Sequence, residues 1–289
     1  MSTQTTTLDD NKYLPENPWL SCAPILLAVF IYVMDGTIAN VALPHMAGSF
    51  SATRDESIWI LTSYLISSGI VIPSVDFFSK LFGRKNFYVI SVLLFTIASF
   101  LCGTATSLGQ MVFYRILQGA GGGGIVPLSQ AIMLESFPKE KRGTAMAIFG
   151  MGVIIAPIIG PMLGGWITDN WTWPWIFFIN VPLGCVAAIM AKKLLFDPPY
   201  AHKQKNVKID VLGFALLIAW LCSLQVFFDK GNNADWFNAA WIRWLFTFSC
   251  TCGIGFFISQ IVRKDTLVDL SVTIQQLTFQ CKCCCRFDG

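Results

Sequence analysis

Charge is what this chain has least of. Lysine and arginine number 20 and aspartate and glutamate 17 among 289 residues, or 13% together, where a soluble domain carries about a quarter. With 54% of its residues hydrophobic, the chain reads as an integral membrane protein. Strict apolar–polar alternation is missing, which argues against a membrane β-barrel. A basic leader is missing too. Asp9, Asp10 and Glu16 precede an apolar run too long for a cleaved signal, so that run is expected to stay as a membrane helix. No disulfide framework is readable. Cys22, Cys102, Cys185, Cys222, Cys250 and Cys252 read as small buried hydrophobes. Cys281, Cys283, Cys284 and Cys285 stand closer together than zinc ligands, whose pairs are usually separated by about two residues or more. His45 and His202 are isolated, read as loop residues, and make no metal site. Gly119 and Gly121 to Gly124 are followed by no Lys-Ser/Thr, so they are no phosphate loop; close helix contact or bending is expected of them. No polar catalytic cluster or cofactor motif stands at either membrane face. An enzyme, a bound cofactor and a nucleic-acid partner are therefore not expected.

What is present is a series of apolar blocks of about 20 residues, the length a helix needs to cross ~30 Å of hydrocarbon. We read eight membrane spans, near 20–43, 57–76, 86–104, 110–133, 144–167, 174–196, 211–228 and 240–262. Lysine and arginine collect after every second span: Lys80, Arg84 and Lys85; Lys139, Lys141 and Arg142; Lys192, Lys193, Lys203, Lys205 and Lys208; Arg263 and Lys264. Those loops and both chain ends are expected to be cytoplasmic. The domain reading is an N-terminal segment over 1–19, six spans over 20–196, a polar basic linker over 197–210, two further spans over 211–262 and a tail over 263–289.

The chemistry centres on Asp35, a lone acid inside the first apolar run. Placing an ionised carboxylate in hydrocarbon costs roughly 2.5–3.5 kcal/mol on insertion scales, so such a residue calls for a polar cavity or a partner. Span 1 runs outward, putting Asp35 roughly 22 Å from the inner face, and span 4 runs inward, putting Arg115 roughly 8 Å from the outer face. Across ~30 Å these depths coincide. The two are expected to share one layer and a polar cavity where Asp35 exchanges protons; a static buried pair that fixes packing is the alternative. Gln118 lies one turn from Arg115 on the same face. It bonds substrate or orients the arginine, or else bonds a neighbouring helix. On span 5, Gly152, Ala156, Gly160 and Gly164 recur every fourth residue as a smooth stripe beside Pro157 and Pro161. That pattern suits either a moving interface or simple tight packing. Trp171, Trp173 and Trp175 flank a short outer loop as interfacial anchors.

Four segments carry a resemblance: MDGTIANVALP (34–44), FYRILQGAGGG (113–123), GMGVIIAPIIGPMLGGWI (150–167) and WPWIFFINVPLG (173–184). They resemble the EmrB/QacA-type, 14-helix drug:proton antiporters of the major facilitator superfamily, most of all the EmrB branch. The resemblance implies an all-α polytopic protein: the N-terminal six-helix bundle of a major facilitator plus two linking helices. It implies proton-coupled efflux of lipophilic, drug-like compounds across a bacterial inner membrane. A periplasmic adaptor and an outer-membrane channel are the implied partners. Asp35 and Arg115 would couple protons, and Gln118, Asn40 and Tyr64 would line the substrate pathway. Gly152, Ala156, Pro157, Gly160, Pro161 and Gly164 would form the antiporter motif. Asp76, Lys80, Gly83, Arg84 and Lys85 would form a cytoplasmic gating loop. Here Asp76 replaces the family's first glycine and Lys80 stands near its usual acid, so a latch built on that acid lacks it. The resemblance stops at Val272, and the family's second six-helix half is expected to be missing. A non-transporting remnant, or one half of a split transporter, is the alternative.

Overall fold

The computed structural model describes residues 18–195, 210–231 and 235–262. The expectations for residues 1–17, the linker over 197–209, His202 and the tail from residue 263 lie outside the described residues. Among those described, regular structure is entirely helical. The helices are α1 (Pro18–Ser49), α2 (Arg54–Ser57), α3 (Trp59–Phe82), α4 (Arg84–Gly103), α5 (Leu108–Gly122), α6 (Ile125–Ser136), α7 (Arg142–Asn170), α8 (Trp175–Phe178), α9 (Asn180–Leu194), α10 (Val211–Gly231) and α11 (Ala240–Val262).

Among the described residues, seven segments are long and apolar enough to cross a membrane. The fourth expected span, 110–133, is the one not among them, because it is divided. Its α5 and α6 hold 15 and 12 residues and meet at Gly123 and Gly124, and neither piece alone reaches the ~20 residues a crossing needs. Both glycines keep right-handed helical torsions. The division is thus a local break in one continuing rod, and it falls where the glycine run announced bending. The first span also differs from expectation. It continues through Pro44 to Ser49, so His45 is an exposed helical residue rather than part of a loop.

Two compact units divide the chain: residues 1–75 with 82–204, and residues 76–81 with 205–289. In the first, α1 packs against α7, α9 and α6, and α4 packs against α5 and α9. Ile38, Ala42, Met46, Ile60, Met111 and Phe177 pack in one buried apolar cluster, and Tyr88, Val92 and Leu128 are buried elsewhere in the bundle. In the second unit, α10 pairs with α11. Asp210 accepts from the Gly213 amide at the start of α10 and from Gln260 Nε2 of α11 at 3.2 Å.

Close approach explains most of the small residues. A Cβ on Gly119 would lie 2.5 Å from the Tyr64 carbonyl oxygen, and one on Gly121 would lie 2.5 Å from the Phe95 nitrogen, so α5 touches the backbones of α3 and α4. On α7, Gly160 lies against Thr37 and Gly164 against Ile38, both of α1. Helix packing without side chains between the rods gains dispersion contacts that lipid tails do not supply as well. The helix runs through Pro157 and Pro161 without interruption. Cys22, Cys102 and Cys252 are buried as expected, but Cys185 and Cys250 are exposed. The outer face of a membrane bundle is as apolar as its core, so a small apolar residue suits either side.

Candidate functional site

Asp35 and Arg115 meet. Arg115 Nη1 donates to Asp35 Oδ2 at 2.7 Å, and both side chains are 0% exposed. Helices α3, α4, α5 and α8 and the start of α9 build the surroundings. From α5, Gln118 Nε2 donates to Asp35 Oδ1 at 2.9 Å. From the first residue of α9, Asn180 Nδ2 donates to the same oxygen at 2.9 Å. The carboxylate thus accepts three hydrogen bonds, and every group facing it is a donor.

The guanidinium is held as firmly. Its second Nη1 hydrogen goes to Gln118 Oε1 at 2.7 Å, and Nε donates to the Ile60 carbonyl of α3 at 3.1 Å. Its carbon lies 4.4 Å from the centre of the Tyr64 ring and 5.5 Å from that of Phe177. The Cys102 thiol donates to Gln118 Oε1 at 3.5 Å. Asn180 Nδ2 also donates to Ser99 Oγ at 3.2 Å, and the Ser99 hydroxyl donates to the Phe177 carbonyl at 3.0 Å. A charge pair removed from water is tolerable only when further hydrogen bonds satisfy its remaining atoms; this shell supplies them to the carboxylate and to Arg115 Nη1 and Nε, while Arg115 Nη2 is buried without a hydrogen-bond partner.

The expected polar cavity around Asp35 is replaced by this closed shell. The carboxylate needs no water in this conformation because three N–H donors stand where water would. Gln118 and Tyr64 join the cluster. Asn40 does not: it is exposed, and its amide bonds back to the Gly36 carbonyl at 3.0 Å. Tyr32, Gly36 and Asn40 nevertheless share one face of α1, and the Tyr64 ring lies 6.1 Å from that of Tyr32. Sequence reasoning overlooked Asn180, Ser99 and Cys102. Asn180 carried a signal, since an amide inside an apolar span needs a partner.

The antiporter-motif residues divide by face. Ala156, Gly160 and Gly164 are buried toward α1, Gly152 and Pro157 are half-buried, and Pro161 is exposed. Of the gating-loop residues, Gly83 takes φ 83° and ψ 144° between α3 and α4. Arg84 pairs with Glu135 at the end of α6, an acid the sequence reading did not single out. Lys80 pairs with Asp76 one turn away at 2.5 Å, and both are largely exposed. Lys85 is half-buried. The tryptophans cluster at the other end of the bundle. Trp171 and Trp175 are exposed with ring centres 5.0 Å apart, and Trp173 Nε1 donates to Ser49 Oγ at 2.9 Å. No group of three or more possible metal ligands occurs among the described residues.

The profile of the Major Facilitator Superfamily matches residues 25–276. The multidrug export protein EmrB of Haemophilus influenzae is 39% identical over 261 residues, covering 90% of this chain and 50% of the relative. The fatty acid resistance protein FarB of Neisseria gonorrhoeae is 38% identical over 249 residues, covering 85% and 48%. The chain spans about half the length of the curated relatives it matches. Among solved structures, the human organic anion transporter MFSD10 (TETRAN) aligns with a TM-score of 0.57 at 16% identity, over 74% of this chain and 56% of that one. At that identity the likeness is one of fold.

Proposed function

The chain belongs to the Major Facilitator Superfamily, and we propose that it supplies the proton-coupling half of a drug:proton antiporter. It is a multi-pass membrane protein and not an enzyme. In the proposed cycle, a proton entering from outside neutralises Asp35, and a lipophilic compound leaves in exchange. The observation that carries this reading is the buried carboxylate whose three donors come from α5 and α9. Gaining a proton there removes the charge that holds Arg115, Gln118 and Asn180 in place. Interior charge pairs respond strongly to the loss of one partner, so a single proton rearranges contacts across the bundle. The stripe of α7 against α1 supplies a smooth face along which the helices slide.

The names of the relatives support lipophilic drugs or fatty acids as substrates. A bacterial inner membrane, cytoplasmic chain ends, a periplasmic adaptor and an outer-membrane channel belong to the same proposal. Substrate in such folds sits between two halves near the midplane, and this chain spans about half of its relatives. A second reading follows from that placement of substrate, in which the chain acts together with a separately supplied six-helix half.

Export of a lipophilic dye by energised membrane vesicles tests both. Proton-driven export that a protonophore stops and that Asp35→Asn abolishes supports the antiporter. Export that appears only when a second six-helix half is co-expressed supports the split form. Undiminished proton-driven export by Asp35→Asn, in whichever of these settings is active, ends the assignment.

A further inference from the structure

The shell around Asp35 is complementary to the carboxylate and offers nothing to the hydrogen of a neutral acid. Its three members, Arg115 Nη1, Gln118 Nε2 and Asn180 Nδ2, all donate. Two of those members are amides, which also carry an acceptor oxygen. The Gln118 oxygen is already held by Arg115 Nη1 and the Cys102 thiol. The Asn180 oxygen is different: it is fully buried and has no hydrogen-bond partner. An unmet buried acceptor costs free energy, so its persistence beside the one acid of the site asks for an explanation. The groups whose charge is coupled to this acid are Arg115 of α5, Tyr64 of α3, Cys102 of α4 and Tyr32 of α1 itself. None of them offers a free acceptor oxygen of this kind.

We propose that Asn180 is the proton-responsive positioning residue of the site, turning its side-chain amide over when Asp35 becomes protonated. The inference rests on the reading of Asp35 as the proton carrier. One proton from water bonds to Asp35 Oδ1, and no bond between heavy atoms forms or breaks. Asn180 Oδ1 then accepts the new O–H, and Nδ2 moves to where the unmet oxygen had been. The turn has a second consequence. It sets an amide oxygen against Ser99 Oγ, a contact of 3.2 Å in the present arrangement. Two acceptors at that separation repel, so the Ser99 hydrogen leaves the Phe177 carbonyl, where it now points, and turns to Asn180. A proton taken up on α1 is thereby registered on α4 and at the junction of α8 and α9.

The test is a pH titration by NMR of the purified full chain in lipid nanodiscs. The probes are 13C-labelled aspartate carboxyls and 15N-labelled asparagine amides. Asp35 is assigned by its loss in Asp35→Asn, and Asn180 by its loss in Asn180→Thr. The expected result is that both Asn180 amide protons move upfield together, and exchange faster with water, with the same midpoint as the Asp35 carboxyl. In Asp35→Asn the Asn180 resonances are expected to stay constant over the same pH range. Ser99→Ala removes a bond that Asn180 makes in both orientations. It is expected to keep the fold and to leave the Asn180 shift tied to the Asp35 midpoint. An Asp35 that titrates while Asn180 stays fixed overturns the proposal and leaves the proton reading standing. An Asp35 that does not titrate removes both.

Discussion

Arg115 and Asp35 lie 80 residues apart in sequence, yet Nη1 of the one stands 2.7 Å from Oδ2 of the other with neither exposed. Removing one charge leaves its partner buried without compensation, which typically costs about 3–5 kcal/mol. Arg115→Gln and Asp35→Asn are each expected to lower stability on that scale. The double variant should lose less than the sum, with a coupling energy of about 0.5–3 kcal/mol. Reversible denaturant unfolding of the four proteins in mixed micelles measures the cycle. Strictly additive costs would mean that the charges do not meet.

The Tyr64 ring covers the guanidinium at 4.4 Å, in a desolvated setting where a cation–π contact is worth ~2 kcal/mol or more. The tyrosine hydroxyl contributes little, because its bond to the Tyr32 carbonyl is long at 3.4 Å. Tyr64→Phe is expected to change stability by under about 1 kcal/mol, in the range of one weak hydrogen bond. Tyr64→Leu should lose about 2 kcal/mol. Equal costs for the two substitutions would assign the effect to the hydroxyl lost in both rather than to the ring's face.

The four-residue stripe on α7 is not uniform. A Cβ at Gly160 would collide with Thr37 and lie 3.3 Å from the Met34 carbonyl oxygen, whereas at Gly152 the nearest atom is Leu26 Cδ2 at 3.6 Å. Gly160→Ala is therefore expected to destabilise by about 1–3 kcal/mol through overpacking. Gly152→Ala should be neutral, or stabilising by up to about 1 kcal/mol, because alanine restricts the unfolded chain. Thermal unfolding of the two variants separates a contact surface from a mere repeat of small residues.

Helix rise and bilayer thickness made the Asp35–Arg115 layer legible in the sequence, and the 3.6-residue period placed Gln118 beside Arg115. The glycine run likewise announced the break at Gly123 and Gly124. Asn180 escaped because WPWIFFINVPLG was read as a helix opening, and its partners lie 145 residues away at Asp35 and 81 away at Ser99. No local period encodes such a meeting; it follows only from how α9 packs on α1 and α4. Asn40, expected along the substrate pathway and not in this cluster, shows the converse. Its position in a motif said nothing of rotation about the helix axis, and the residue points out of the cluster. Glu135 was hidden because Arg84 finds it across the bundle from α6.

That last pair carries the final prediction. The side chains of Arg84 and Glu135 are 23% and 33% exposed, against 44% and 62% for Lys80 and Asp76. Exposed pairs are worth ~0–1 kcal/mol and weaken further with salt. Lys80→Gln is thus expected to be silent. Arg84→Gln should cost more, and the loss should be partly restored when Arg84→Glu is combined with Glu135→Arg. Just before Arg84, Gly83 adopts a backbone conformation that side chains rarely take, and strain of that kind costs about 1–3 kcal/mol. Gly83→Ala should therefore destabilise more than any single loss of a charge in this loop. If unfolding measurements find Gly83→Ala neutral and Lys80→Gln severe, the loop is held by its exposed pair and not by its backbone and the Arg84–Glu135 bridge.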